Sequence, residues 1–144
     1  MSATPFSWFP PYNRVKLVLD EEAIEKIIKE RFKRMDMITI LENYELRQSQ
    51  EPVTTEMVDS STYDILFIWV ENKLNKKVIV QVIGNVRNEP DGSVEIGEPV
   101  EVEAKDNHCI SLKKEDILPY MGAKIRAEET PTEGTITIIA IGKR

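Results

Sequence analysis

The sequence predicts a mainly β chain with one N-terminal helix, an α+β layout whose C-terminal part is an antiparallel β-sandwich or jelly-roll-like domain. Three observations predict it. Beyond residue 60, short runs of β-branched and aromatic residues recur, each closed by a polar turn. Over residues 21–35 the apolar residues instead repeat at the helical period. The chain has 144 residues, 41% of them hydrophobic and 31% charged, which suits one core with an appended segment rather than two cores or a disordered chain.

The first stretch places Phe6, Trp8, Phe9 and Tyr12 among Pro5, Pro10 and Pro11. Proline fixes φ and removes a backbone donor, so this segment reads as an extended arm. Three readings of the arm stand: its aromatics lie across this chain's own core edge, reach a neighbouring subunit, or form a proline-rich ligand for another protein. Val15, Leu17 and Leu19 alternate as in a short strand. Asp20 is then a fitting N-cap, with Glu21 and Glu22 in the first turn. Ile24, Ile27, Ile28, Phe32 and Met35 form one stripe, and Lys29, Arg31, Lys33 and Arg34 occupy the end that the helix dipole favours for cations. The spacing predicts a helix over 21–35. Its stripe has two readings: it covers a sheet of the same chain, or it meets the same stripe in a second copy.

Residues 37–46 alternate imperfectly, as a further short strand would. From 47 to 61 the chain turns polar, which predicts a linker and a boundary between an N-terminal unit (1–60) and the sandwich (61–144). Residues 63–71 (YDILFIWVE) suit a central strand buried on both faces, with Trp69 in the core. The turn Asn72-Lys73-Leu74-Asn75 leads to a second apolar run over 78–83, so these two strands are expected to form a hairpin. Pro90-Asp91-Gly92 is a turn. Val94, Ile96, Val100 and Val102 then alternate with Glu95, Glu101 and Glu103, as in a half-exposed strand pair or one strand bent near Pro99. A short strand over 110–112, a single helical or 3₁₀ turn within 113–120, and strands over 123–128 and 135–141 complete the pattern.

Composition narrows the chemistry. With 19 Lys/Arg against 25 Asp/Glu the net charge is −6, and no basic block provides the footprint a phosphate backbone demands, so nucleic acid is not an expected partner. The chain has no apolar run long enough to span a membrane. A single cysteine, Cys109, rules out an internal disulfide framework and fits a reducing compartment. The start lacks the basic and continuous apolar regions of an export signal, so cytoplasmic synthesis is expected. The one histidine, His108, precedes Cys109 directly. Neighbours on a strand point to opposite faces, so they do not make a thiolate–imidazolium pair. His108 reads as a solvated loop residue and Cys109 as a small core hydrophobe. No phosphate-cradling glycine loop, nucleophile elbow or metal-ligand spacing is present. The expectation is therefore no enzyme, no catalytic residue, no cofactor and no metal, with Phe6, Trp8, Phe9 and Tyr12 as candidate interaction residues.

Over 63–144 the layout resembles small β-sandwich domains of phage or virus particle proteins and of uncharacterised bacterial proteins. The segments that carry the resemblance are the acidic pair VEIGEPVEVEA, the crossing turn KKEDILPYMGAKIRAE and the last apolar strand GTITIIAIG. The resemblance is one of architecture; the aromatic-proline arm, the polar stretch 47–61 and the missing catalytic chemistry lead to the expectation of a non-enzymatic, homo-oligomeric structural or assembly protein whose partner is itself or another particle protein, located in the cytoplasm or in a virion. A binding module for a carbohydrate or small ligand is the alternative.

Overall fold

The computed structural model describes residues 35–144. The aromatic arm and the predicted helix lie outside them, apart from Met35, which is the first residue of a strand. The described residues form nine strands: β1 (Met35–Tyr44), β2 (Val53–Thr54), β3 (Val58–Asp59), β4 (Ile65–Asn72), β5 (Val78–Asn85), β6 (Val94–Val102), β7 (Asp106–Lys113), β8 (Tyr120–Ala127) and β9 (Ile136–Lys143). A 3₁₀ turn, Lys114–Asp116, follows β7 in the segment where a crossing turn is predicted.

All pairings are antiparallel, in two sheets. Sheet one has the order β1-β9-β4-β7, and sheet two the order β2-β8-β5-β6, with β3 also on β8. Since β2 and β3 both pair with β8, they act as one interrupted strand. The chain changes sheet at every connection except β5 to β6, which is the wrapped Greek-key path of an eight-stranded jelly roll.

The core lies between the sheets. Sheet one contributes Leu66, Ile68 and Val70 from β4 and Ile136, Ile138 and Ala140 from β9; sheet two contributes Val78, Val80 and Val82 from β5 and Met121, Ala123, Ile125 and Ala127 from β8. Each is the inward residue of a period-two pattern. Each large aliphatic side chain buried here is worth about 1.5–3 kcal/mol. Leu46 and Leu74, on connections, are also fully buried and close the ends.

Several expectations change here. The predicted hairpin of 63–71 with 78–83 does not form: β4 pairs with β9 and β7, and β5 with β8 and β6. The linking residues include Leu74, which is drawn into the core, so the chain crosses to the other sheet instead of turning back. Asn72 fixes this crossing. Its amide nitrogen donates to the carbonyls of Lys76 (3.1 Å), Val102 (3.1 Å) and Glu103 (3.0 Å), and its Oδ1 accepts from the Leu74 N–H (3.1 Å).

The polar stretch 47–61 is not a linker, and the unit does not begin at residue 61. It spans Met35–Arg144, because β1 pairs along β9 and β2 and β3 pair with β8. Backbone groups hold the polar stretch in place: Gln50 N–H donates to Ala127 O, Thr55 N–H to Ala123 O and Ser60 N–H to Pro119 O. Thr55 Oγ1, buried, accepts from the Ala123 N–H at 3.0 Å.

One edge of sheet one is tied by a polar cluster. Tyr63, 6% exposed, donates its hydroxyl to Asp36 Oδ2 at 2.7 Å, and Arg144 pairs with the same oxygen at 2.8 Å. The Arg144 guanidinium also sits 5.5 Å from the centre of the Tyr63 ring. Burial, and then the bond to Asp36, push the Tyr63 phenol up to about 12. The ring lies flat against Gly142, where a Cβ would overlap it.

Candidate interaction surface

In an antiparallel sheet, residues directly opposite one another project from the same face. The register of sheet one therefore fixes its outer face row by row. Across β1, β9, β4 and β7 one row reads Met37, Ile141, Phe67, Ser111, and the next Thr39, Ile139, Trp69, Cys109. The row on one side holds Met35, Lys143, Ile65 and Lys113; the row on the other holds Thr137, Glu71 and Asn107. The centre of the face is thus apolar over β9 and β4 and at Met37 of β1, roughly 10 Å wide at the usual strand spacing, with Thr39 and Ser111 at its margins and charges only at its ends.

An antiparallel sheet that faces water usually alternates apolar-in and polar-out. This one does not, because β4 (ILFIWVEN) and β9 (ITIIAIGK) carry large apolar residues in both registers. The outward set is Phe67, Trp69, Ile139 and Ile141, all half-buried, with Met37 67% and Ile65 36% exposed. Contiguous apolar patches of this kind mark contact surfaces in soluble proteins.

The expectation of a strand buried on both faces is therefore corrected. Leu66, Ile68 and Val70 enter the core, while Phe67 and Trp69 stand outside. Trp69 turns its indole N–H to Glu71 Oε2 at 3.0 Å, on the same outer face. Cys109, expected in the core, is exposed beside Trp69 in the register. Partial desolvation on this apolar surface pushes its thiol up, so the thiol stays protonated at neutral pH. His108 lies in β7, not in a loop, opposite Val70 and on the other face from Cys109, and it is exposed. The period of two separates the pair, as the sequence implies.

The signal for this face was in the sequence, as apolar residues at both odd and even positions of 65–70. It was read as two-sided burial, because one strand alone does not say whether a second layer covers its other side. The candidate interaction residues Phe6, Trp8, Phe9 and Tyr12 lie outside the described residues.

The outer face of sheet two is different. Pro52, Ile79, Gln81, Glu95, Lys124 and Arg126 are among the residues lining a groove of about 250 Å³. Among the described residues no group of three or more His, Cys, Asp or Glu side chains is placed to hold a metal ion. Among them, too, no helix is long and apolar enough to cross a membrane.

No family model matches the chain, and neither does any curated protein sequence. Among solved structures it is similar to the crystal structure of PirA, with 7% identity, a TM-score of 0.43, and coverage of 77% of this chain and 94% of that one. It is also similar to Desmodium yellow mottle tymovirus (8% identity, TM-score 0.44, 76% of this chain and 81% of that one). A third is the tobacco streak virus coat protein (10% identity, TM-score 0.41, 76% and 87%). These are weak likenesses of architecture, and they transfer no residue role.

Proposed function

We propose that this protein is a non-enzymatic structural or assembly protein that forms homo-oligomers through the outer face of sheet one. The observation that carries the reading is the row pattern Met37-Ile141-Phe67 and Ile139-Trp69, apolar over three neighbouring strands where water-facing sheets are polar. The charges at its ends favour a second copy as the partner. Lys143 and Lys113 stand at one end and Glu71 at the other. A two-fold axis lying in the interface and perpendicular to the strands sets the lysine end of one copy on the glutamate end of the next, while the apolar rows meet. A particle shell of a virus or phage is one assembly such a module can build. The jelly roll also serves lectins and cupins, so the fold alone does not choose among them.

The test is the solution mass by light scattering of the full chain and of a Met37→Glu, Ile65→Glu double variant. Both side chains are exposed, so circular dichroism is expected to remain unchanged. A defined oligomer that the double variant reduces to monomer supports the reading, and electron microscopy of the oligomer then reports whether it closes into a shell. A wild-type chain that stays monomeric at high micromolar concentration overturns it. A second reading, a module for a small ligand, is favoured by one observation of its own, the groove on sheet two.

A further inference from the structure

The groove is built by three neighbouring strands. Arg126 on β8 and Glu101 on β6 stand directly opposite Ile79 of β5, and Lys124 stands opposite Gln81. Cations thus line one bank of β5 and carboxylates the other. Ile79 and Gln81, 9% and 8% exposed, form the floor, and Pro52 and Pro99 complete the lining.

Two features make this a binding site rather than a charged surface. Lys124 and Arg126 are both half-buried and, two residues apart on one face, lie about 7 Å apart along the strand. Among the described residues neither makes an ion pair, in a chain whose net charge is −6. Gln81 supplies the second feature. Its Nε2 donates to the carbonyls of Val82 (2.9 Å), Ile96 (3.2 Å) and Gly97 (3.2 Å). Those three oxygens fix which end of the amide is which, since Oε1 in that place would face only acceptors. The free end is therefore the carbonyl oxygen, and no donor among the described residues reaches it. A buried acceptor left open, on the residue that stands opposite Lys124 in the register, asks for a partner that brings both negative charge and a hydrogen-bond donor.

We propose that this groove binds a small monocarboxylate that carries hydroxyl or ammonium donors close to its carboxylate, the chemistry shared by a uronic acid unit and a free amino acid. The carboxylate sits on Lys124 and the Arg126 fork, where charge-assisted bonds are strongest. The donors meet Gln81 Oε1 and the Glu95 carboxylate, and the apolar side of the ligand rests on Ile79 and the prolines. Lys124 and Arg126 together match one carboxylate, and Glu95 leaves room for a hydroxyl or ammonium donor beside it. A phosphate monoester, with close to two negative charges, would press the second against Glu95. The proposal rests on the small-ligand reading and is independent of self-association, which uses the other sheet.

The test is a titration of the isotope-labelled full chain, followed by backbone amide shifts at fixed ionic strength, with sodium glucuronate, serine, acetate and inorganic phosphate as separate arms. Saturable shifts at Gln81, Lys124 and Arg126 with glucuronate or serine are expected, and the arm that saturates names the source of the ligand. Lys124→Gln and Arg126→Gln are each expected to weaken that binding about tenfold, the worth of one charge-assisted bond, while Arg87→Gln, on an exposed loop, leaves it unchanged. On the wild type the affinity should also fall as salt is raised, a readout that needs no variant. Acetate or phosphate binding as tightly as glucuronate and serine would make this a plain counter-ion site and overturn the proposal. So would the absence of any groove shift, or an affinity indifferent to salt. Shifts confined to Trp69 and its neighbours would overturn the groove yet leave the small-ligand reading standing on sheet one.

Discussion

Asn72→Ala is expected to cost the fold about 2–4 kcal/mol, although the residue touches neither candidate surface. Asn72 is fully buried at the end of β4, in sheet one, and its amide reaches Val102 and Glu103 at the end of β6, in sheet two. Truncation removes every one of these bonds. The carbonyls of Lys76 and Glu103 are only partly buried at these contacts, so water recovers them. The bonds to the Val102 carbonyl and the Leu74 N–H are buried, and each of those groups left unmade costs about 1–3 kcal/mol. For a domain of this size that lowers Tm by about 10–20 °C. Urea denaturation should show a lower midpoint with an unchanged slope, because the surface exposed on unfolding is nearly the same. Asn72→Asp sharpens the test. A carboxylate can accept from Leu74 N–H, but ionised it repels three carbonyl oxygens, so its pKa in the fold is raised. A raised acid pKa means stability is fully present below the unfolded carboxyl value near 4 and falls as pH rises through the folded value. Asn72→Asp should therefore gain on wild type as pH is lowered from 7 to 4. A loss below about 1 kcal/mol for Asn72→Ala would refute the claim that this amide holds the two sheets together.

Three further outcomes follow from the packing. Gly142→Ala drives a methyl group into the Tyr63 ring and should destabilise by about 1–3 kcal/mol, as overpacking does; calorimetry on Gly142→Ala with and without Tyr63→Leu reports whether the clash is the cause, since the second change should restore part of the loss. The Tyr63 phenol, raised to about 12 by burial and then by Asp36, adds stability below the unfolded phenol value near 10 that is lost as pH rises toward 12. Relative to Tyr63→Phe, the wild type should lose on the order of 1 kcal/mol over that window, and equal profiles would count against the bond to Asp36. Cys109 is exposed on the apolar face, so its rate of reaction with a thiol reagent should fall as protein concentration rises through the association range. A rate independent of concentration would take Cys109 out of the interface.

How much of this was legible in the sequence depended on the range of the forces involved. The strands β4, β5, β8 and β9 were readable because their β-branched runs carry the pairing preference locally. Strands β2 and β3 were not, since two-residue pairings in a run of Gln, Ser and Thr are held by backbone bonds to β8 and by the buried Thr55 hydroxyl. The pairing of β4 was misread for a similar reason. Proximity in sequence favoured a hairpin with β5, whereas Leu74 and the Asn72 amide send the chain to the opposite sheet. The groove lay furthest from view. Its cations come from β8, its floor from β5 and its carboxylates from β6, and only the register, set by residues more than forty positions apart, brings Lys124 beside Gln81.

The two outer faces are chemically unlike, and this makes the two proposals separable by experiment. Sheet one presents Phe67, Trp69, Ile139 and Ile141 with charges only at the ends, so its association should strengthen with added sulfate, which enhances apolar burial. Sheet two presents Lys124 and Arg126 opposite Glu101 and Glu95, so its ligand binding should weaken in the same salt series. The faces lie on opposite sides of one core, and substitutions on them share no contacts, so their effects should add. The Met37→Glu, Ile65→Glu variant is therefore expected to abolish association while leaving the groove titration intact, and Lys124→Gln to do the reverse. Loss of both activities in either variant would mean that the sandwich itself had been disturbed, and neither face could then be assigned from that variant.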